Sequence, residues 1–150
     1  MQTLQKSERL GNFRLQQLLF RKGRVVFCHP FRVVYLLVGK NTQSLPPEIP
    51  RHAFSRPATF LHPAKALFSV PSRHLRRATD RNRVKRLMKE AYRKNKTGFY
   101  SFLESRHEVC VFAFIYVHRH VLPYGEVESK IKLSLQKLRQ AIEESGEPVS

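Results

Sequence analysis

The run of residues at 108–117, EVCVFAFIYV, most constrains what this chain can fold into. After its first residue the run is apolar at every position. A strand with one face in water alternates apolar and polar residues, whereas a strand that is apolar on both sides needs cover on both faces. Phe112, Phe114 and Tyr116 alternate onto one face, and smaller aliphatic residues alternate onto the other. The run therefore predicts an inner strand of a covered sheet.

A basic segment at residues 80–96, DRNRVKRLMKEAYRKNK, predicts an amphipathic helix. An apolar stripe at positions i, i+3, i+4 and i+7 is typical of a helix with one buried face. The stripe consists of Val84, Leu87, Met88 and Ala91. Asp80 is the predicted N-cap, because its carboxylate can accept a hydrogen bond from a free amide of the first turn.

The same helix carries a second stripe that is cationic. Its members recur every four residues: Arg81, Lys85, Lys89 and Arg93. Arg81 and Arg83 would lie in the first turn, where the helix dipole disfavours positive charge. Glu90 is the only acid inside the helix, so few of these charges can pair within it. Arginines that converge with free amides at a helix start indicate a phosphate-binding site.

The charge of the chain indicates a polyanionic partner. The 150 residues carry a net charge of +17 and are 41% hydrophobic, which suits one domain over residues 1–150. Residues 73–96 hold eleven Lys or Arg against two acids, whereas residues 97–150 hold six against seven. Such a localised patch favours nucleic acid first and an anionic membrane second.

Several features predict a cytoplasmic protein. No stretch approaches the ~20 apolar residues of a membrane span, and the first residues lack the apolar core of a signal peptide. Cys28 and Cys110 both lie in apolar, strand-like runs, where we expect them to be reduced and buried.

Shorter patterns predict the remaining elements. Residues 41–63 contain five of the nine prolines, which predicts a long connecting loop. The other elements are a helix at about residues 12–22 with Leu15, Leu18 and Leu19 as its core stripe, strands at 24–28, 31–39 and 64–70, and a helix at about 124–144. The order is α-β-β-(long loop)-β-α-β-α. A strand–helix–strand unit implies a parallel pair, so we expect an α+β two-layer domain with helices on a sheet of about four strands.

The sequence offers little for catalysis. It contains neither a Walker-type loop nor a dinucleotide glycine pattern, and no carboxylate pair that would build a metal-nuclease site. His107, His118 and His120 lack an acid or cysteine at a convincing zinc-ligand spacing. We therefore expect no catalytic residue, no metal and no bound cofactor, and we interpret the histidines as part of the basic rim.

Residues 81–87, RNRVKRL, followed by residues 90–93, EAYR, resemble the signature helix of the bacterial ribonuclease P protein component. The resemblance covers roughly residues 9–40 and 64–142. Further features in register with that family are Arg9 and Leu10 before the first helix, Phe20 and Gly23 at its end, and Phe31 at the start of the second strand.

The resemblance implies an RNA-binding subunit of an endoribonuclease. Such proteins assist a catalytic RNA in removing the 5′ leader from precursor tRNA, and the RNA subunit uses magnesium for the reaction. The expected partners are therefore the catalytic RNA and precursor tRNA, with no membrane. The expected RNA contacts, in the signature helix and in the basic residues before it, are Arg73, His74, Arg76, Arg77, Arg81, Asn82, Arg83, Lys85, Arg86, Lys89 and Arg93.

The resemblance also implies a cleft between the first helix and the sheet that binds the single-stranded leader. Its expected residues are Gln16, Phe20, Phe31 and Tyr35. Many relatives have an aromatic residue in place of Gln16 and another in place of Arg139, so the details of leader binding differ in this chain.

Two other classes of protein explain part of the pattern. A structural RNA-binding protein of the ribosome-associated type, without an enzymatic partner, would carry the same charge but would not match the family in register. A DNA-binding protein could use the basic helix as a recognition helix. Recognition helices usually belong to helical domains and read bases through a few side chains. The predicted sheet and the unbroken cationic face favour phosphate contacts instead.

Overall fold

The computed structural model describes residues 8–11, 13–39 and 63–145. Three helices and four strands follow one another in the predicted order, and the α+β class is confirmed. The elements are α1 (Phe13–Lys22), β1 (Arg24–Cys28), β2 (Phe31–Gly39), β3 (Ala64–Ser69), α2 (Ala78–Ser105), β4 (Glu108–Tyr116) and α3 (Tyr124–Ser145). The predicted loop at 41–63 lies outside the described residues, apart from Pro63.

The four strands form one sheet in the order β1-β2-β4-β3. β4 pairs with β2 in antiparallel orientation and with β3 in parallel orientation, so the parallel pair predicted for the strand–helix–strand unit is confirmed. All nine residues of β4 are buried. The prediction of an inner strand with cover on both faces is therefore also confirmed.

The two faces of the sheet belong to two separate hydrophobic clusters. Phe112 and Phe114 face α2 and α3, and both rings meet the fully buried ring of Tyr92 at centroid distances of 5.7 and 6.1 Å. On the opposite face, α1 buries its predicted stripe of Leu15, Leu18 and Leu19 against β2 and β4. The short first helix thus adds a layer to the two that the sequence predicts.

Gly23 fixes the way in which α1 turns into β1. Its amide donates a hydrogen bond to the carbonyl oxygen of Leu19, 2.7 Å away. A β-carbon at this position would lie 2.3 Å from that oxygen and 2.8 Å from Cγ1 of Val34. Only glycine therefore allows the end of α1 to approach β2 this closely, and this approach sets the position of α1 on the sheet.

The helix α2 is longer than its predicted range of 80–96. It begins at Ala78, with Arg77 in extended conformation as the N-cap, so the prediction that Asp80 caps it is wrong. Asp80 lies in the first turn instead, where its negative charge suits the helix dipole. At the other end, Phe99 and Leu103 continue the buried stripe and carry the helix on to Ser105.

Candidate nucleic-acid interface

The first half of α2 and the short segment before α1 together form a groove with a volume of about 620 Å³. We call it the cationic groove. Five of its lining side chains are cationic, and Glu90 is the one acid among the lining residues. The groove is lined by Arg9, Arg83, Arg86, Leu87, Lys89, Glu90 and Arg93. Such an excess of fixed positive charge suits the phosphates of a nucleic acid.

The structure brings four of the predicted RNA contacts together in this groove: Arg83, Arg86, Lys89 and Arg93. Asn82 is exposed one turn away, and Lys85 is half-buried beside them. Arg9 completes the groove, although the sequence does not predict it as an RNA contact. In the sequence it stands out as a basic residue before the first helix, in register with the family, but it lies 74 positions before Arg83.

Glu90 pairs with Arg93 within the cationic groove. Its two carboxylate oxygens accept hydrogen bonds from Nε and Nη2 of Arg93, and Lys94 lies 3.8 Å from it. The hydrogen bond from Arg93 lowers the pKa of Glu90. The acid therefore stays ionised at neutral pH and holds Arg93 in place.

Lys89, which also lines the groove, lies close to other positive charges. Its pKa is lowered, first by burial of the ammonium group and then by the nearby positive charges of Arg9 and Lys85. Like charges held at this range repel one another. A bound phosphate would relieve that repulsion, so the groove is set up to accept an anion.

Arg81 joins the first turn of α2 to the basic loop, residues 71–77, which precedes the helix. Nη1 of Arg81 donates hydrogen bonds to the carbonyl oxygens of Leu75 and Arg76, at 2.9 and 2.7 Å. Within the loop, the amides of His74 and Leu75 donate to the carbonyl oxygen of Pro71. Arg81 thus fastens the loop to the helix start, which is a positioning role besides the RNA contact that the sequence predicts.

The predicted contacts of the basic loop differ in accessibility. Arg73, Arg76 and Arg77 are exposed. His74 is half-buried, and its Nε2 atom is buried without a hydrogen-bond partner among the described residues. The three arginines can therefore reach a ligand from this loop, whereas Nε2 of His74 points into the protein.

A second surface lies on α1 and is aromatic. Phe20 is 50% exposed and shares a shallow pocket of about 500 Å³ with Phe13, Gln16, Gln17 and Arg21. Nε2 of Gln16 donates a hydrogen bond to the carbonyl oxygen of Leu10, 2.8 Å away. Phe20 is therefore exposed enough to stack on a base, which is the role that the family resemblance implies, while Gln16 also ties α1 to the segment before it.

Phe31 and Tyr35 do not belong to this surface, and their predicted place in a common cleft with Gln16 and Phe20 is wrong. Both side chains are buried, with 0% and 4% exposure, in the cluster beneath α2 and α3. The Phe31 ring packs 5.8 Å from the Phe114 ring. Because alternate residues of β2 point to opposite faces, these two aromatics lie on the far side of the sheet from α1.

The edge strand β1 supplies an exposed aromatic that sequence reasoning missed. Phe27 is 57% exposed, and its cross-strand partner is Arg32. Val25, also exposed, pairs with Val34, which belongs to the cluster under α1. Phe27 and Val25 therefore extend the apolar surface on the α1 side of the sheet. Their signal in the sequence was the alternation within β1, which reveals two faces but not which one is open.

Comparisons with known proteins show which family the chain belongs to. The family model described as Ribonuclease P matches residues 4–139. The chain belongs to the ribonuclease P family. Two curated relatives, the ribonuclease P protein components of two strains of Porphyromonas gingivalis, are each 33% identical over 135 residues, which cover 90% of this chain and 85% of the relative. The resemblance drawn from residues 81–93 is therefore confirmed.

The fold of this chain has a counterpart among solved structures. The Staphylococcus aureus RNase P protein superposes with a TM-score of 0.58 and covers 91% of this chain and 96% of its own. The two sequences are 16% identical. The common α+β architecture thus holds at low sequence identity.

Three histidines, His29, His118 and His120, form a row at the end of the sheet. The His118 ring lies 5.1 Å from that of His29 and 5.6 Å from that of His120. Burial and these two neighbours lower the pKa of His118.

Within residues 8–11, 13–39 and 63–145, no three His, Cys, Asp or Glu side chains gather as metal ligands. In the same ranges, no helix is long and apolar enough to cross a membrane.

Proposed function

We propose that this chain binds the catalytic RNA of ribonuclease P through the cationic groove and the basic loop, and that the resulting holoenzyme removes the 5′ leader from precursor tRNA. The observation that carries this proposal is the groove itself, where five cations from two distant parts of the chain surround a single acid. Guanidinium groups bind phosphate oxygens in pairs, with fixed geometry. The groove is therefore suited to the folded backbone of a large RNA.

The basic loop extends this RNA surface. Arg76 and Arg77 stand next to the first turn of α2, and Arg81 holds the loop against the helix. Loop and groove both present exposed arginines near the start of α2. Contacts to phosphates position a protein on RNA without reading its sequence, which suits recognition of RNA shape.

We assign the leader of precursor tRNA to the α1 side of the sheet. Phe20 and Phe27 are exposed there, and stacking of an unpaired base on such a ring contributes ~1–3 kcal/mol per base. Phe31 and Tyr35 support this surface from the core rather than touch the leader. A cationic site for folded RNA and an aromatic site for single-stranded RNA thus lie on different elements.

The protein contributes no catalytic group in this proposal. Glu90, the acid that lines the groove, is engaged by Arg93, which leaves it poorly suited to hold a metal ion. Magnesium ions would be held by the RNA subunit, and the protein would bind no cofactor of its own. We place its activity in the cytoplasm, where precursor tRNA is made.

Reconstitution tests the proposal. The protein is mixed with a bacterial ribonuclease P RNA and a precursor tRNA at low magnesium concentration, and the rate of leader removal is measured. We expect cleavage to be faster than with the RNA alone. Tight binding without a higher rate would instead support a structural RNA-binding protein without an enzymatic partner.

A further inference from the structure

A buried polar cluster fastens the segment before α1 to the middle of α2. The carboxylate of Glu8 is fully buried and accepts hydrogen bonds from Nζ of Lys96, at 2.5 Å, and from the hydroxyl of Tyr100, at 2.6 Å. The Tyr92 hydroxyl donates in turn to that of Tyr100. A buried ion pair stabilises a fold little compared with apolar packing. We therefore attribute this pair to positioning of the segment that carries Glu8.

The residues that follow Glu8 are also fixed. The amide of Leu10 donates a hydrogen bond to the carbonyl oxygen of Ala66, 2.9 Å away, and its carbonyl oxygen accepts one from Gln16. The Leu10 side chain is buried under α1. Arg9 therefore lies between two anchored neighbours, and its own side chain is exposed and lines the cationic groove.

We propose that Arg9 is a phosphate contact of the cationic groove and that the buried ion pair of Glu8 and Lys96 is the latch that holds it there. This inference rests on the proposed function and deepens it. Arg9 is close enough to Lys89 to lower the pKa of that lysine. Holding two cations together in the free protein is unfavourable, and a bound phosphodiester would make it favourable.

The contact itself is tested by charge-matched variants. Arg9→Gln removes one charge at the groove, and Arg14→Gln removes one from the exposed side of α1. We expect Arg9→Gln to weaken binding of the catalytic RNA about fivefold to tenfold. It should also lower the slope of log K against log salt by roughly 0.7–0.9, whereas the control changes both far less. Equal losses from the two variants would show that Arg9 acts only through net charge.

For removal of Glu8, the latch and the net charge predict opposite changes in RNA affinity. Glu8→Ala raises the net charge by one, so charge alone predicts tighter RNA binding. If Glu8 holds Arg9 in the groove, binding should weaken severalfold instead, and Arg9→Gln should cause little additional loss in this background. Glu104→Ala removes an exposed acid from the same helix that Lys96 belongs to and serves as the control. RNA binding that is unchanged or tighter in Glu8→Ala would overturn the latch.

Glu8→Ala leaves the Lys96 ammonium buried without its carboxylate, so this variant could fail to fold. The double variant Glu8→Ala Lys96→Met removes both charges and leaves an apolar contact in their place. Circular dichroism and thermal melting establish which variants are folded. The latch predicts weakened RNA binding in the double variant as well, and wild-type affinity there would contradict it.

A probe without RNA separates this inference from the proposed function. Inorganic pyrophosphate is titrated into the wild-type protein and Arg9→Gln while the guanidinium Nε–Hε signals are followed by NMR. The Arg9 signal should shift with the first equivalents in the wild type, and affinity should fall in the variant. If pyrophosphate binds at Arg9 but the catalytic RNA does not bind, the proposed function fails and the anion site stands. If Arg9 does not respond, the inference fails by itself.

Discussion

Nη1 of Arg81 lies 2.9 Å from the carbonyl oxygen of Leu75 and so joins the first turn of α2 to the basic loop. The dipole of the helix disfavours a cation at this position. The carbonyl oxygens of the loop, which carry partial negative charge, compensate for it. An arginine that looks unfavourable in the helix alone is thus favourable in the folded protein, because it binds two carbonyl oxygens of the loop.

Replacement of Arg81 should therefore affect stability as well as RNA binding. Arg81→Ala removes two hydrogen bonds from a charged donor, a partly buried one to the carbonyl oxygen of Leu75 and an exposed one to that of Arg76. We expect the free energy of unfolding to fall by about 1 kcal/mol and RNA binding to weaken. Arg83→Ala is the matched control, since its side chain is exposed and only the binding should change. Urea denaturation and a filter-binding assay measure the two effects, and equal stability of the variants would contradict the positioning role.

Binding of the catalytic RNA should depend steeply on salt. If the cationic groove neutralises phosphates, log K falls linearly with log salt, and each lost contact lowers the slope by roughly 0.7–0.9. Arg83→Ala together with Arg86→Ala should lower it by about twice that amount. Affinity that stays constant between low and physiological salt would exclude phosphate neutralisation as the source of binding.

The aromatic surface on α1 should act only on the leader. Phe20→Ala is expected to weaken binding of precursor tRNA by the holoenzyme by ~1–3 kcal/mol, and to spare mature tRNA and assembly with the catalytic RNA. Phe27→Ala should behave in the same way. Side-by-side affinities for precursor and mature tRNA provide the measurement, and equal losses for both substrates would mean that this surface does not bind the leader.

Phe31 provides the contrast to Phe20. Its ring is fully buried against Phe114 and Tyr116, so Phe31→Ala should lower the free energy of unfolding by ~3–5 kcal/mol. Chemical denaturation followed by circular dichroism measures this loss. A stable Phe31→Ala variant with a specific defect in leader binding would show that Phe31 contacts the leader after all.

The histidines should be dispensable for the chemical step. Replacement of His107, His118 and His120 by Gln is expected to leave single-turnover cleavage by the reconstituted holoenzyme close to that of the wild type, because the RNA subunit would carry the catalysis. Single-turnover rates at saturating enzyme isolate that step from binding. A loss of several orders of magnitude would assign a catalytic group to the protein.

The arrangement of apolar residues along the sequence predicted most of the fold. The unbroken apolar run of β4 predicted its place inside the sheet, because only cover on both faces makes such a run favourable. The stripes of α1 and α2 predicted their buried residues except for Leu87, which is half-buried and lines the cationic groove. The start of α2 escaped prediction, since Arg77 takes the cap position through its backbone alone, without a side-chain hydrogen bond.

The candidate site was predicted only where it is local in sequence. Arg83, Arg86 and Lys89 lie on one stretch of helix, so their spacing places them together. Arg9 joins them through a buried ion pair between residues 88 positions apart, which no local pattern reveals. For Phe31 and Phe27, alternation separates two faces of a strand, but the packing of the helices decides which face stays open to a ligand.

The complete burial of β4 has a consequence for hydrogen exchange. Its backbone is bonded to β2 on one side and β3 on the other, and both of its faces are covered. Amides in such a strand exchange with solvent only when the whole domain opens, whereas those of the edge strand β1 exchange through local opening. Deuterium uptake at β4 thus reports the global free energy of unfolding, and its slowing on addition of RNA would measure how much the ligand stabilises the protein.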